Sequence, residues 1–95
     1  MTLPTTETGI DTDLLTKHVP PWRVVLHNDD HNSMDHVVRA LLASVPALTV
    51  ESAVEVMMTA HNHGEATVTQ CPKETAELYR ERLESFGLTA TIEPA

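Results

Sequence analysis

The chain has 95 residues, 41% of them hydrophobic and only three aromatic, so it has room for one small domain whose core is filled by aliphatic side chains and methionine. Its formal net charge of -8, from 14 acidic and 6 basic residues, argues against a surface for nucleic acids or anionic membranes, both of which require a basic face. The single cysteine, Cys71, excludes an internal disulfide and is typical of a reducing compartment, and no apolar run reaches the length of a membrane span, roughly 20 residues.

The first 20 residues differ in composition from the rest of the chain. Residues 1–20 are rich in Thr, Asp, Glu and Pro and lack apolar periodicity, which predicts a flexible N-terminal extension, followed by one domain over residues 21–95. The chain begins without the basic residues and the apolar stretch of a secretory signal, so we expect a cytoplasmic protein that does not associate with membranes.

A β-strand followed by a polar corner opens the predicted domain. Residues 22–27, WRVVLH, contain two adjacent valines and a tryptophan, which favour a strand. Asn28, Asp29 and Asp30 follow at once, and Asn32 comes two residues later; these residue types favour turns and helix caps over strands. Residues 28–32, the polar corner, therefore place several hydrogen-bond acceptors beside a hydrophobic strand.

An amphipathic helix is predicted directly after the polar corner. Asn32 or Ser33 can cap it. Its apolar residues recur with helical spacing from Met34 to Val45, and Pro46 ends it.

The second predicted helix begins after its cap, Thr49, and ends at Gly64. Val50, Val54 and Met57 fall on one stripe, which continues to His61. A histidine thus lies near the end of a mostly apolar helix face.

The remaining residues predict a strand, a third helix and a last strand. Residues 65–71 alternate as a strand does, Pro72 suits the first position of the helix, Gly87 ends it, and residues 88–93 form the last strand. The order β-α-α-β-α-β predicts an α+β fold, a small α/β sandwich in which three helices cover a three-stranded antiparallel sheet.

The polar corner and His61 admit several kinds of chemistry. Two neighbouring carboxylates can act as general acid and base, although so small a domain has little room for a deep cleft that excludes water. Carboxylates and imidazoles also bind metals, but the candidate ligands here do not form a recognised ligand spacing. These candidates are His27, Asp29, Asp30, His31, His36, His61 and His63.

A pocket for an ammonium group is a third possibility. The amide oxygen of Asn28, the two carboxylates after it and a neutral His61 are acceptors that suit an ammonium group, which has three donors and no acceptor. Apolar residues of the first two helices lie next to them: Met34, Val37, Met57 and Ala60. Such a site would bind the free N-terminus of a peptide with its first side chain. The structural alternative is a corner that only caps a helix, with His61 in the core.

Two segments resemble the motifs of a known family. Residues 26–38, LHNDDHNSMDHVV, resemble the LxNDDxTxMxxVV run of the ClpS adaptors, and residues 57–66, MMTAHNHGEA, resemble the second family motif, MxxVHxxGxA. The resemblance extends from about residue 20 to residue 93. It implies a protein that is not an enzyme and that needs no cofactor or metal.

The resemblance also implies a binding function. ClpS adaptors recognise N-degrons, which are proteins whose first residue is Leu, Phe, Tyr or Trp, and deliver them to a Clp AAA+ unfoldase of the ClpA or ClpC type that works with the ClpP peptidase. By the family pattern, the α-amino group is held by Asn28, Asp29 or Asp30 or both, and His61. The same pattern implies that the first side chain is enclosed by His27, Asn32, Met34, Val37, Met57, Ala60 and Leu88.

The family pattern assigns partner contacts as well, and this chain departs from it at three positions. Glu74 matches an acidic position that docks on the unfoldase N-domain, the N-terminal extension matches a segment that engages the unfoldase, and a monomer is expected. Asn32 replaces a family Thr, Ala60 replaces Val, and Tyr79 replaces a basic residue. Because Ala60 is smaller than Val, we expect more room in the pocket and a looser fit for Leu.

Overall fold

The computed structural model describes residues 20–95, so the predicted extension lies outside the described residues except for Pro20. The elements follow the predicted order, which confirms the α+β fold. They are β1 (Trp22–His27), α1 (Met34–Ser44), α2 (Val50–His63), β2 (Glu65–Cys71), α3 (Lys73–Ser85) and β3 (Thr89–Pro94). Within residues 20–95, none of the helices is long and apolar enough to cross a membrane.

The central strand of the three-stranded antiparallel sheet is β1, and the strand order is β2-β1-β3. His27, the last residue of β1, pairs with Glu65, the first residue of β2, and with Thr89, the first residue of β3. The polar corner therefore leaves the sheet between two turns, the one that joins α2 to β2 and the one that joins α3 to β3.

The hydrophobic core lies between the sheet and the helices. Val24 and Leu26, alternate residues of β1, belong to a cluster of buried side chains that come from all three helices and both outer strands. Leu41 of α1 and Leu83 of α3 are completely buried in this cluster. Val25, whose side chain points to the opposite face of the sheet, is buried but does not belong to the cluster.

Side-chain caps begin α1 and α2. The Ser33 hydroxyl accepts the backbone N–H of His36 at 3.1 Å, so Ser33 rather than Asn32 caps α1. The Thr49 hydroxyl accepts the Ser52 N–H at 3.1 Å, and the Ser52 hydroxyl accepts the Thr49 N–H at 2.9 Å. The two helices α1 and α2 form a helix hairpin that carries part of the site. The start of each helix is thus fixed by residues close to it in sequence.

Several element boundaries differ by one residue from the prediction, among them the end of the last strand, which is Pro94 rather than residue 93. Pro72 has an extended ψ of 153° and occupies the cap position, so α3 begins at Lys73 rather than at the proline. The N–H of Leu88 donates to the carbonyl of Leu83 at 3.2 Å, which closes the end of α3. The last strand therefore begins at Thr89 instead of residue 88.

Candidate ligand-binding pocket

A pocket of about 310 Å³ opens where β1 ends, between the start of α1 and the last turns of α2. All residues predicted to bind a ligand line it except Leu88. Within residues 20–95, the lining consists of Leu26, His27, Asn28, Asp29, Asp30, Asn32, Ser33, Met34, Val37, Met57, Ala60 and His61. The fold thus brings together two segments, residues 26–37 and residues 57–61, which are separated by 19 residues in sequence.

Hydrogen bonds to Asp29 stabilise the turn of the polar corner. Its Oδ1 accepts the backbone N–H groups of His31 and Asn32, both at 2.8 Å, and the Asn32 side-chain amide donates to Oδ1 at 3.2 Å and to Oδ2 at 3.1 Å. Partial burial works to raise the pKa of the Asp29 carboxyl, but these hydrogen bonds prevail and the pKa lies below its ordinary value. The Asp29 carboxylate is therefore an internal part of the turn.

The polar corner is hydrogen-bonded to the turn that follows α2 and to the turn that follows α3. The backbone N–H of Asn28 donates to the carbonyl of Gly64, and the side-chain amide of Asn32 donates to the carbonyl of Gly87, each at 2.9 Å. Both glycines have positive φ, 94° for Gly64 and 82° for Gly87, a conformation that glycine adopts without steric cost. The turns that end α2 and α3 thus present carbonyl groups to the corner.

Three polar residues that line the pocket are exposed to solvent. Asn28, Asp30 and His61 are exposed, and within residues 20–95 their side chains make no hydrogen bond or ion pair. An amide oxygen, a carboxylate and a neutral imidazole can each accept a hydrogen bond. These three side chains, the acceptor rim, suit a ligand that brings donors. Because His61 is exposed, the alternative of a core histidine is wrong.

The apolar part of the pocket comes from both helices of the hairpin. Met57 and Ala60 of α2 are buried, and Val37 of α1 is half-buried. Met34, the first residue of α1, is 45% exposed although its side chain is large and apolar. These four residues, the apolar wall, therefore offer a partly exposed surface for an apolar group.

Two lining residues were not predicted from the sequence. Leu26 lies two residues before Asn28 on the face of β1 that turns to the helices, and it is 2% exposed. Ser33 lines the pocket beside its capping role. The alternation along β1 was the available signal for Leu26, since it shares its face with Val24.

Two predicted site residues lie away from the pocket. Leu88 is buried in the core cluster and does not line the pocket. Glu74 is exposed in the first turn of α3, which begins just after Cys71. That end of β2 is opposite to the end where Glu65 pairs with His27, so Glu74 and the pocket lie at opposite ends of the sheet.

His27 lies at the edge of the pocket and is held across the sheet. Its Nε2 is 2.7 Å from the Thr91 hydroxyl, and its Nδ1 is 3.8 Å from the Glu65 carboxylate. As for a metal centre, the part of the chain that the structure describes contains no group of three or more His, Cys, Asp or Glu side chains placed to hold an ion.

An acceptor rim beside an apolar wall, on a small α+β fold, defines a binding domain for a ligand with one donor-rich end and one apolar group. Comparison with known proteins identifies the family. The family model described as "ATP-dependent Clp protease adaptor protein ClpS" matches residues 17–91. The chain belongs to the ClpS family, which confirms the resemblance of its two motifs.

Individual relatives agree with this assignment. The ATP-dependent Clp protease adapter protein ClpS of Synechococcus elongatus is 48% identical over 84 residues, 88% of each chain. The chloroplastic adapter CLPS1 of Arabidopsis thaliana is 39% identical over 93 residues, 98% of this chain and 58% of that protein. The structure of Agrobacterium tumefaciens ClpS2 bound to L-phenylalaninamide has a TM-score of 0.75 and 30% identity, covering 80% of this chain and 98% of that one.

Proposed function

We propose that this protein is an adaptor that binds the free N-terminal residue of an N-degron substrate, Leu, Phe, Tyr or Trp, and delivers the substrate to a Clp AAA+ unfoldase. The observation that carries the proposal is the acceptor rim of Asn28, Asp30 and His61 beside an apolar wall. The names of the relatives support the adaptor role, since they are Clp protease adapters. The ligand of the Agrobacterium protein supports the binding mode, because phenylalaninamide joins a free amino group to an aromatic side chain.

In this proposal the two parts of the pocket bind different parts of the N-terminal residue. The ammonium group of the substrate donates its three hydrogens to the acceptor rim, and a neutral His61 contributes the lone pair of one ring nitrogen. The first side chain enters against Met57 and Ala60, with Met34 at the entrance as the gate against β-branched residues. A volume of about 310 Å³ is at the lower end for ligand pockets, roughly 300–1,000 Å³, and suits a single side chain.

We assign the direct contact with the ammonium group to Asp30 rather than Asp29. The Asp29 carboxylate is occupied by donors of its own turn, Asn32 and His31, whereas the Asp30 carboxylate is exposed and makes no bond within residues 20–95. A carboxylate that already accepts several hydrogen bonds gains less from a further donor than one that accepts none.

The partner contacts extend the proposal beyond the pocket. Glu74, exposed at the start of α3, is the acidic residue that we expect to dock on the N-domain of a ClpA- or ClpC-type unfoldase. Its separation from the pocket leaves room for substrate and unfoldase to bind at once. We further propose that the adaptor acts in the cytoplasm, as a monomer and without catalytic activity of its own.

The proposal is tested by fluorescence anisotropy with a labelled peptide that begins with Leu. Peptides that begin with Phe or Ile and an N-acetylated Leu peptide serve as matched comparisons, each measured with and without a chelator. We expect Leu and Phe peptides to bind, Ile to bind weakly, acetylation to abolish binding and the chelator to have no effect. Absence of binding to every free N-terminus would refute the proposal, and loss of binding in chelator would favour a metal protein.

A further inference from the structure

The Asn32 side chain joins the polar corner to the turn between α3 and β3. Its amide nitrogen carries two hydrogens and has two sets of acceptors, the Asp29 carboxylate at 3.1–3.2 Å and the Gly87 carbonyl at 2.9 Å. Both hydrogens are therefore used within the protein. Although Asn32 lines the pocket, its amide has no donor left for a ligand.

The turn that receives Asn32 is itself well fixed. The Nε2 of His36 donates to the Phe86 carbonyl at 2.7 Å, and the N–H of Leu88 donates to the end of α3. Gly87 has a φ of 82°, so the direction of its carbonyl is set by a backbone conformation that other residues rarely adopt. Asn32 thus connects the corner to a fixed point of the fold.

Asp29 transmits this restraint to the acceptor rim. Its carboxylate bonds to the backbone of His31 and Asn32, and these bonds shape the turn from which Asn28 and Asp30 project. Without the Asn32 amide, the Asp29 carboxylate loses its only side-chain donor within residues 20–95. Hydrogen bonds to a charged ligand require donor and acceptor to be held within a few tenths of an ångström, and surrounding residues supply that precision.

We propose that Asn32 is a positioning residue for recognition of the substrate amine: it does not touch the amine, but it orients the turn that presents Asn28 and Asp30. The role rests on the proposed function. It also gives a reason for the departure from the family Thr, because a Thr hydroxyl has one hydrogen and so can replace only one of the two bonds. The pocket contact of Asn32 is secondary to this role.

Asn32→Asp separates positioning from charge. The substituted side chain has nearly the same shape but cannot donate, and it places a second carboxylate beside Asp29. Charge alone would strengthen the attraction for an ammonium group, so a loss of affinity reports a displaced rim. Gln70→Glu is the matched control, because it adds the same charge on an exposed residue of β2 near the opposite end of the sheet.

The measurements are the affinity for the Leu peptide, the affinity for its N-acetylated form and the thermal midpoint of each full-length variant. We expect Asn32→Asp to bind the free peptide about 10-fold more weakly, the order of one lost charge-assisted hydrogen bond, and to discriminate less between the free and acetylated peptides. Asn32→Thr should recover part of the loss, and Gln70→Glu should behave as wild type. A carbon NMR titration should show a higher pKa for the Asp29 carboxyl in both Asn32 variants.

The outcomes distinguish failure of the positioning role of Asn32 from failure of the proposed function. Wild-type affinity in a folded Asn32→Asp variant, or affinity lost only in proportion to the unfolded fraction, would overturn the positioning role alone. If Asn32→Asp does not fold, Asn32→Thr decides instead: an unchanged affinity with an unchanged Asp29 pKa overturns the role. A wild-type protein that binds no free N-terminus would overturn the proposed function and this role with it.

Discussion

Asp29 and Asp30 show that two identical neighbouring residues can have different surroundings in the folded protein. Sequence reasoning recognised both as acceptors in a turn but could not separate them, because their difference lies in which donors the folded chain brings to each carboxylate. The structure directs the His31 and Asn32 N–H groups to Asp29 and leaves Asp30 exposed. At the scale of single residues, residue type was predictable, while its hydrogen-bond partners were not.

Alanine substitutions should separate the two carboxylates. Asp30→Ala is expected to weaken binding of the Leu peptide by about 10- to 100-fold, the value of a charge-assisted hydrogen bond of about 1.5–3 kcal/mol, without changing stability. Asp29→Ala is expected to lower the free energy of unfolding by about 1–2 kcal/mol, as the loss of a helix cap does. Anisotropy and urea denaturation measure both quantities. An Asp30→Ala variant that binds normally, or that unfolds more easily than Asp29→Ala, would contradict the assignment.

The stability contribution of Asp29 should disappear in acid. Its pKa is lower in the folded protein than the value of about 3.9 in an unfolded chain, so the folded state favours the charged carboxylate. The stabilisation is fully present above the unfolded-state pKa and is lost as the pH falls through the folded-state pKa. Wild type and Asp29→Asn should therefore differ most in urea denaturation at about pH 6, and the difference should shrink as the pH falls from about 4 through the folded-state pKa. A constant difference across this range would show that the carboxylate charge does not stabilise the turn.

Among the helices and strands, the sequence predicted a boundary correctly where residues close in sequence form it. Ser33 and Thr49 cap their helices through residues three positions away, and Gly64 ends α2 with its positive φ. The same signals placed the start of β3 one residue too early, because a backbone hydrogen bond that spans five residues decides this boundary. The N–H of Leu88 donates to the carbonyl of Leu83, five residues earlier, in the turn that Gly87 forms, so Leu88 belongs to the end of α3 rather than to β3.

Packing between elements also decides which residues reach the site. The family pattern assigned Leu88 to the pocket, but this side chain packs in the core, whereas Leu26 lines the pocket without having been assigned. Both are leucines next to an end of a strand. Their positions depend on how the helix hairpin covers the sheet, which a pattern within one strand cannot specify.

At the scale of the whole molecule, the pocket and the expected docking residue lie at opposite ends of one sheet. The pocket is formed around the end of β1, while Glu74 follows the far end of β2. No single segment encodes this arrangement, since it results from the antiparallel pairing of β1 with β2. Residue types and helical spacing already indicated that the polar corner and His61 could share a pocket, and the family resemblance added Glu74 as a docking residue.

The same arrangement predicts that binding and delivery can be separated. The helices, strands and pocket residues that the structure describes form one folded domain within residues 20–95. Replacing residues 1–19 by a Gly/Ser sequence of equal length is therefore expected to leave the affinity for the Leu peptide within about twofold of wild type. Degradation of a Leu-initiated reporter by the unfoldase and ClpP should become much slower, because the family resemblance implies that residues 1–20 engage the unfoldase.

Glu74→Lys is the companion variant for this experiment, because it alters the expected docking face and leaves both the N-terminal residues and the pocket intact. It should weaken the complex with the unfoldase N-domain, whereas the Gly/Ser replacement should leave that complex formed but unproductive. Both effects follow from a pocket whose described lining comes from β1, the polar corner, α1 and α2. If the Gly/Ser replacement weakens peptide binding 10-fold or more, residues 1–19 contribute to the pocket, and binding and delivery are not separable in this adaptor.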